Sequence, residues 1–203
     1  MGFLPILPLA MSKLSLVRAR KREHTRRALM NAAVSVFSRH GYERATVDLV
    51  AQTAGYSKGA FYVHFDSKEA IFIDVLSEAA GFLEATVDDS LESTIEAFAG
   101  LIGSHPYWAP LAAEFSAHAW RNPRVRQGMD ELWARCSARL EAALTGAFDD
   151  DRQVAGHAEV LLNVFRGVSL HPGVTAAGAR RAMLSAARAV RSSESGRRRG
   201  RAA

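Results

Sequence analysis

The stretch from Thr46 to Lys68, TVDLVAQTAGYSKGAFYVHFDSK, leaves the chain few ways to fold. Val47, Val50, Ala51 and Ala54 recur at i, i+3, i+4 and i+7, which is one apolar face of a helix. Thr46 stands just before that face, where a hydroxyl caps the first turn. Gly55 follows it, where a helix end often needs a positive φ. Ser57 is placed to cap a second short helix, from Lys58 to about Val63. Helix, tight turn, helix is the helix-turn-helix geometry, whose second helix enters the major groove of DNA.

The second helix has suitable chemistry. Lys58, Gly59 and Ala60 are its first residues and face the bases in this reading, with Tyr56 as a further candidate. Gly and Ala leave the backbone free to approach base edges. Thr46, Ser57, Tyr62, His64 and Lys68 supply donors for phosphate oxygens around it. Phe61 and Phe65 are the apolar anchors.

These residues carry a resemblance. The runs Thr46–Ala51, Ala54–Phe65 and Ser67–Glu69 resemble the N-terminal domain of the tetracycline-repressor (TetR) family, and the likeness extends from about Thr25 to Leu76. The Tyr-x-His-Phe element followed by Ser-Lys-Glu is its specific part. Tyr56 stands where that family more often has a small aliphatic residue. The resemblance implies an all-α fold: a three-helix DNA-binding domain over 25–76, then a helical ligand-binding and dimerisation body over 77–190. It also implies a cytoplasmic homodimer, a palindromic double-stranded operator, a small-molecule effector, and pairing of the last two helices into a four-helix interface.

Charge is distributed in the same way. Residues 1–76 carry 11 basic and 6 acidic groups, 77–190 carry 10 and 14, and 191–203 carry 5 and 1. A basic head on an acidic body suits a polyanion met by the head alone. The single cysteine, Cys136, allows no intramolecular disulfide and fits a reducing compartment. No apolar run is long enough to span a membrane.

Taken in order, residues 1–24 read as a flexible leader, with Met11 as an alternative start, ending in the basic arm Arg18, Arg20, Lys21 and Arg22. Helix 1 is expected from about Thr25 to His40, stopped by Gly41, and helix 4 from near Ser67 with Ile71, Phe72, Val75 and Leu76 buried. Further helices are expected at about Phe82–Ile102, Tyr107–Trp120, Arg124–Phe148, Arg152–Ser169 and Thr175–Val190. Asp149–Asp151 reads as a solvated connector, and 191–203 as a disordered basic tail.

Other chemistries find no pattern. No HxxxH, HExxH or CxxC pairs ligands for a metal, and no GxSxG, P-loop or GxGxxG marks an enzyme or a nucleotide cofactor. No cofactor is expected. In the body, Trp108, Phe115, Met129, Trp133 and Phe165 recur on facing stripes. They read either as plain core or as the lining of an effector cavity for an apolar or aromatic molecule. The sequence therefore points to a homodimeric repressor released by such an effector. A regulator without an effector, an activator, and a helical ligand-binding protein with a vestigial head stay open.

Overall fold

The protein is described by a computed structural model that covers residues 13–81, 83, 90–145, 148 and 151–201. It is all-α. The helices are α1 (Lys13–Arg44), α2 (Val47–Thr53), α3 (Lys58–Tyr62), α4 (Lys68–Gly81), α5 (Leu91–Ser104), α6 (Trp108–Ala119), α7 (Pro123–Leu144), α8 (Asp151–Ser169) and α9 (Ala176–Arg201). Among the described residues no strand forms, and only an isolated bridge joins Thr145 to Phe148.

Three boundaries differ from expectation: the start of α1, the end of α9, and the end of α7, which stops at Leu144 and not near Phe148. α1 begins at Lys13, so the basic arm up to His24 is helical and not a flexible length of chain. No Gly or Pro interrupts the chain between Lys13 and His40, and each residue added to an existing helix gains a hydrogen bond. α9 likewise runs on to Arg201, through a segment that composition alone marks as disordered. Residues 1–12, Phe82, residues 84–89, Asp149 and Asp150 fall outside the described residues. The start of the leader, the early start of the fifth helix and the first two aspartates of the solvated connector lie there. The described part of that fifth helix opens at Leu91, where the Ser90 hydroxyl accepts from the Ser93 amide at 3.1 Å.

α1 to α3 form the head and α5 to α9 the body, with α4 shared between them. α9 lies against α5 and α8, and α7 against α6 and α8. One apolar core runs through both parts, from Leu29 in α1 to Val190 in α9. The link is aromatic. Phe72 of α4 stacks on Phe115 of α6 at 4.3 Å, and Tyr42 at the end of α1 meets Phe72 edge-on at 5.0 Å. Gly128 of α7 passes so close to α4 that a Cβ there would lie 2.5 Å from Ile73 Cδ1.

α1 is broken at Gly41, whose φ of 72° kinks the helix before its last turn, Tyr42 to Arg44. The break frees the Tyr42 amide, which donates to Glu114 Oε1 of α6 at 2.6 Å. His118, one turn along α6, packs edge-on against the Tyr42 ring at 4.5 Å and places Nε2 3.0 Å from a Glu43 carboxylate oxygen. Lys68 Nζ donates to the Tyr42 carbonyl at 2.8 Å. Burial first, and then the nearby Glu69 carboxylate, push the Tyr42 hydroxyl pKa up, so the ring stays neutral.

This junction is testable by a double-mutant cycle. Gly41→Ala is expected to cost about 1–3 kcal/mol from its backbone angles alone, and its new Cβ would also sit 2.9 Å from Glu114 Oε1. Glu114→Ala should cost roughly 1.5–3 kcal/mol, as for a hydrogen bond to a charged group. The double variant should lose less than the sum in urea unfolding, because the clash goes with the carboxylate. Strict additivity would mean that Glu114 does not cap this turn.

Candidate nucleic-acid interface

Local bonds fix the two head helices before tertiary packing acts on them. Thr46 Oγ1 accepts from the Leu49 amide at 3.1 Å, which caps α2. At its other end the Gly55 amide donates to Gln52 O at 3.0 Å and the Tyr56 amide to Ala51 O at 2.9 Å. That is the Schellman pattern, and Gly55 supplies its left-handed residue at φ 76°. Ser57 Oγ accepts from the Ala60 amide at 3.2 Å, which caps α3. Val50, Ala51, Phe61 and Phe65 are buried beneath.

With that face buried, the opposite face is fixed. Ser57, Lys58 and Gly59 are exposed along the start of α3, and Ala60 is half-buried. Thr46 on one side and Tyr62 on the other, half its surface open, flank them. A Cβ added at Gly59 would meet nothing nearer than Ser57 Oγ at 3.7 Å, so the fold itself does not require glycine there. Tyr56 packs partly against the core, with the rest of its surface open.

Three of the expected contacts have an altered character. Lys58 is paired: its ammonium lies 2.8 Å from Asp48 Oδ2 of α2, and that hydrogen bond and charge raise its pKa. Lys68 is half-buried and anchored to the carbonyl that ends α1, with its ammonium 4.2 Å above the Tyr42 ring. Its first role is therefore to hold α4 on α1, with a phosphate contact left to the remaining donor. His64 is half-buried; burial first, and then Arg22 and Arg26, hold its imidazole pKa below the ordinary value.

Sequence reasoning missed Asp48, because an acid on the helix before the recognition helix carries no motif. It also left Arg22 in a loose arm, separate from Arg26 on the expected helix 1. They sit four residues apart on α1, the spacing that puts two side chains on one helix face. Arg22 Nη2 approaches the Val63 carbonyl at 3.5 Å, and Arg26 pairs with Asp74 of α4 at 2.7 Å. Val63, 62% exposed at the end of α3, is a further surface residue that apolar patterning alone would have buried.

In the body, the five aromatic and Met residues do not meet around one cavity. Trp108, Phe115 and Phe165 are fully buried; Phe115 stacks on Phe72, and Phe165 packs edge-on against Phe98 at 4.8 Å. Met129 and Trp133 do line a crevice, of about 260 Å³, together with Trp120, Arg126, Asp130 and Arg166. A separate cavity of about 390 Å³ lies between the α5–α6 and α8–α9 turns and holds none of the five. Among the described residues no three His, Cys, Asp or Glu side chains gather as a metal set, and no helix is long and apolar enough to cross a membrane.

A capped helix pair that presents the start of its second helix, on an all-α body, defines a DNA-binding protein of the helix-turn-helix class. The family model for bacterial regulatory proteins of the tetR family matches residues 29–75. The A-factor receptor protein of Streptomyces griseus is 40% identical over 73 residues, 36% of this chain and 26% of that one. The transcriptional repressor AcnR of Corynebacterium efficiens is 28% identical over 115 residues, 56% of this chain and 60% of that one. The chain thus spans about a quarter and three fifths of those two relatives. The fold of the transcriptional regulator FadR from Bacillus subtilis, solved in complex with stearoyl-CoA, superposes with a TM-score of 0.67 at 19% identity over 78% of this chain and 96% of that one. The likeness to bacterial regulatory proteins of the tetR family thus lies in the head, residues 29–75, and the likeness to FadR is one of fold.

The state of His64 gives a signed prediction. A phosphate beside the imidazole favours its protonated form, so the pKa rises in the complex from its depressed value in the free protein. Operator affinity should then increase as pH falls through the imidazole pKa of the complex, and His64→Gln should remove that part of the dependence. An unchanged pH profile in His64→Gln would place the imidazole away from phosphate.

Proposed function

We propose that the chain is a homodimeric transcriptional repressor that binds a palindromic operator and is released by a small molecule bound in its body. The observation that carries the DNA half is Gly59. It is exposed on the first turn of α3, and no neighbour in the fold requires it to be glycine. Close approach to a ligand outside the fold is the remaining reason for a residue that weakens a helix. Lys58, Gly59 and Ala60 meet the bases, with Tyr56 beside them, while Thr46, Ser57, Tyr62 and His64 hold the backbone.

Gly59→Ala tests this with stability as the control. The variant should unfold at the same or a slightly higher urea concentration, since Ala is the better helix former by about 1 kcal/mol. It should bind the operator about tenfold or more weakly, because the added methyl holds α3 off the base edges and one good base pairing is worth about that much. Full operator affinity in Gly59→Ala would remove α3 from the groove.

The dimer half rests on α8. Gly156, Val160, Asn163 and Gly167 follow at i, i+4, i+7 and i+11; a Cβ at either glycine would meet nothing within 4 Å, and Val160 is 45% exposed. Small residues on an open stripe let a second helix come close. Val160→Glu should convert the dimer to monomer in light scattering. DNA selected from a random pool by the unaltered protein should show inverted half-sites about one turn apart, ~34–36 Å. A monomeric wild type, or selected sites without inverted symmetry, would contradict the reading.

A further inference from the structure

The crevice between the end of α6, the first half of α7 and the end of α8 carries two arginines, Arg126 and Arg166. Neither has an ion-pair or hydrogen-bond partner among the described residues. The Arg166 guanidinium lies 4.5 Å above the Trp133 ring, and Met129 completes that wall. Trp120 stands at the rim, 87% exposed, an indole face that nothing among the described residues covers. One carboxylate, Asp130, shares the lining, which leaves a single net positive charge.

Each of these facts narrows the occupant. About 260 Å³ lies below the usual 300–1,000 Å³ of drug-sized sites, so the ligand has one or two rings. A long-chain acyl thioester is far too large. A neutral apolar guest would take water from two guanidiniums and return nothing. A cation would find the Trp133 face already occupied by Arg166, and a phosphate dianion would exceed the local charge and meet Asp130. A carboxylate has the planar, two-oxygen geometry that guanidinium binds best, and indole faces favour a flat ring.

We propose that this crevice binds a small planar aromatic carboxylate, its carboxylate held by Arg126 and Arg166 and its ring against the open indole of Trp120. The inference rests on the reading of the protein as an effector-released regulator, and it narrows the apolar or aromatic effector expected from the aromatic stripes to an anionic aromatic one. The site is wired to the head through one helix. α6 lines the crevice with Trp120 at its end, and it carries Glu114, Phe115 and His118 against Tyr42, Phe72 and Glu43. A ligand that displaces the end of α6 therefore acts on the residues that hold α1 and α4.

The test uses the full chain, 1-naphthoate, and its neutral isostere 1-naphthamide, with affinities from calorimetry and tryptophan quenching in the absence of DNA. Naphthoate should bind at least about tenfold more tightly than naphthamide, the scale of a charge-assisted hydrogen bond. Arg126→Gln and Arg166→Gln should each lower naphthoate affinity about tenfold and abolish the discrimination. Both side chains are exposed, so unchanged melting curves are expected. Asp130→Asn keeps the side-chain volume and should strengthen naphthoate alone. Absent or equal binding of the two probes, insensitivity to both arginine variants, or weaker naphthoate binding in Asp130→Asn would overturn the site. A gel shift separates this from the wider reading: naphthoate that binds as expected but leaves the operator complex intact keeps the site and removes its role as effector.

Discussion

A backbone amide, released by Gly41 and taken up by the Glu114 carboxylate, fixes the polar centre of the junction between head and body. The other contacts of the junction are arranged around it. Tyr42, the residue that owns the amide, is itself buried among Phe37, Phe72, Phe115 and His118, and Lys68 caps its carbonyl from α4. Both polar groups of one residue and its ring are thus held by three different helices. An aromatic contact contributes about 0.5–1.5 kcal/mol beyond its buried area, so the cluster is strong only as a set. Removal of the Glu114 carboxylate would leave a buried amide without a partner, which costs more than the bond itself contributes.

Because head and body share a core, the orientation of α3 is not free to vary independently of α6. Packed interiors deform little and transmit displacement. The tight passage of Gly128 over Ile73 adds a second fixed point, on α4. Between these two points α4 behaves as a rigid strut, and its N-terminal end sits directly after the recognition helix. α6, which lines the crevice at its end, rests directly on the α1–α4 junction of the head.

Much of this is legible in the sequence, for identifiable reasons. Thr46, Gly55 and Ser57 mark the limits of α2 and α3 because cap and turn residues act through bonds to their immediate neighbours. Gly41 is readable as a stop for the same reason, and Ile71, Phe72, Val75 and Leu76 by their period. The start of α1 and the end of α9 are not, since composition reports what cannot form a core and says little about helix propagating out of one. The pairings Lys58–Asp48, Arg26–Asp74 and Tyr42–Glu114 join residues 10, 48 and 72 positions apart, and no local pattern encodes them. The five body residues fall on helical stripes as expected, but a stripe faces inward whether its neighbour is a ligand or another phenylalanine. Distinguishing Met129 and Trp133 from Phe115 and Phe165 needs the positions of the facing helices.

The pairing of Lys58 with Asp48 bears on how such a protein would find its site among a genome of wrong ones. Attraction to arbitrary DNA comes from cations that neutralise phosphate and release bound counterions, and it is indifferent to sequence. A lysine already neutralised from within the chain contributes little to that attraction. Only where a base edge or a phosphate is placed to replace the Asp48 oxygen does it exchange one partner for another without loss. If Lys58 meets the operator as proposed above, the carboxylate next to α3 would shorten the time spent on irrelevant DNA more than the time spent on the operator, and raise the ratio between the two at some expense in absolute affinity.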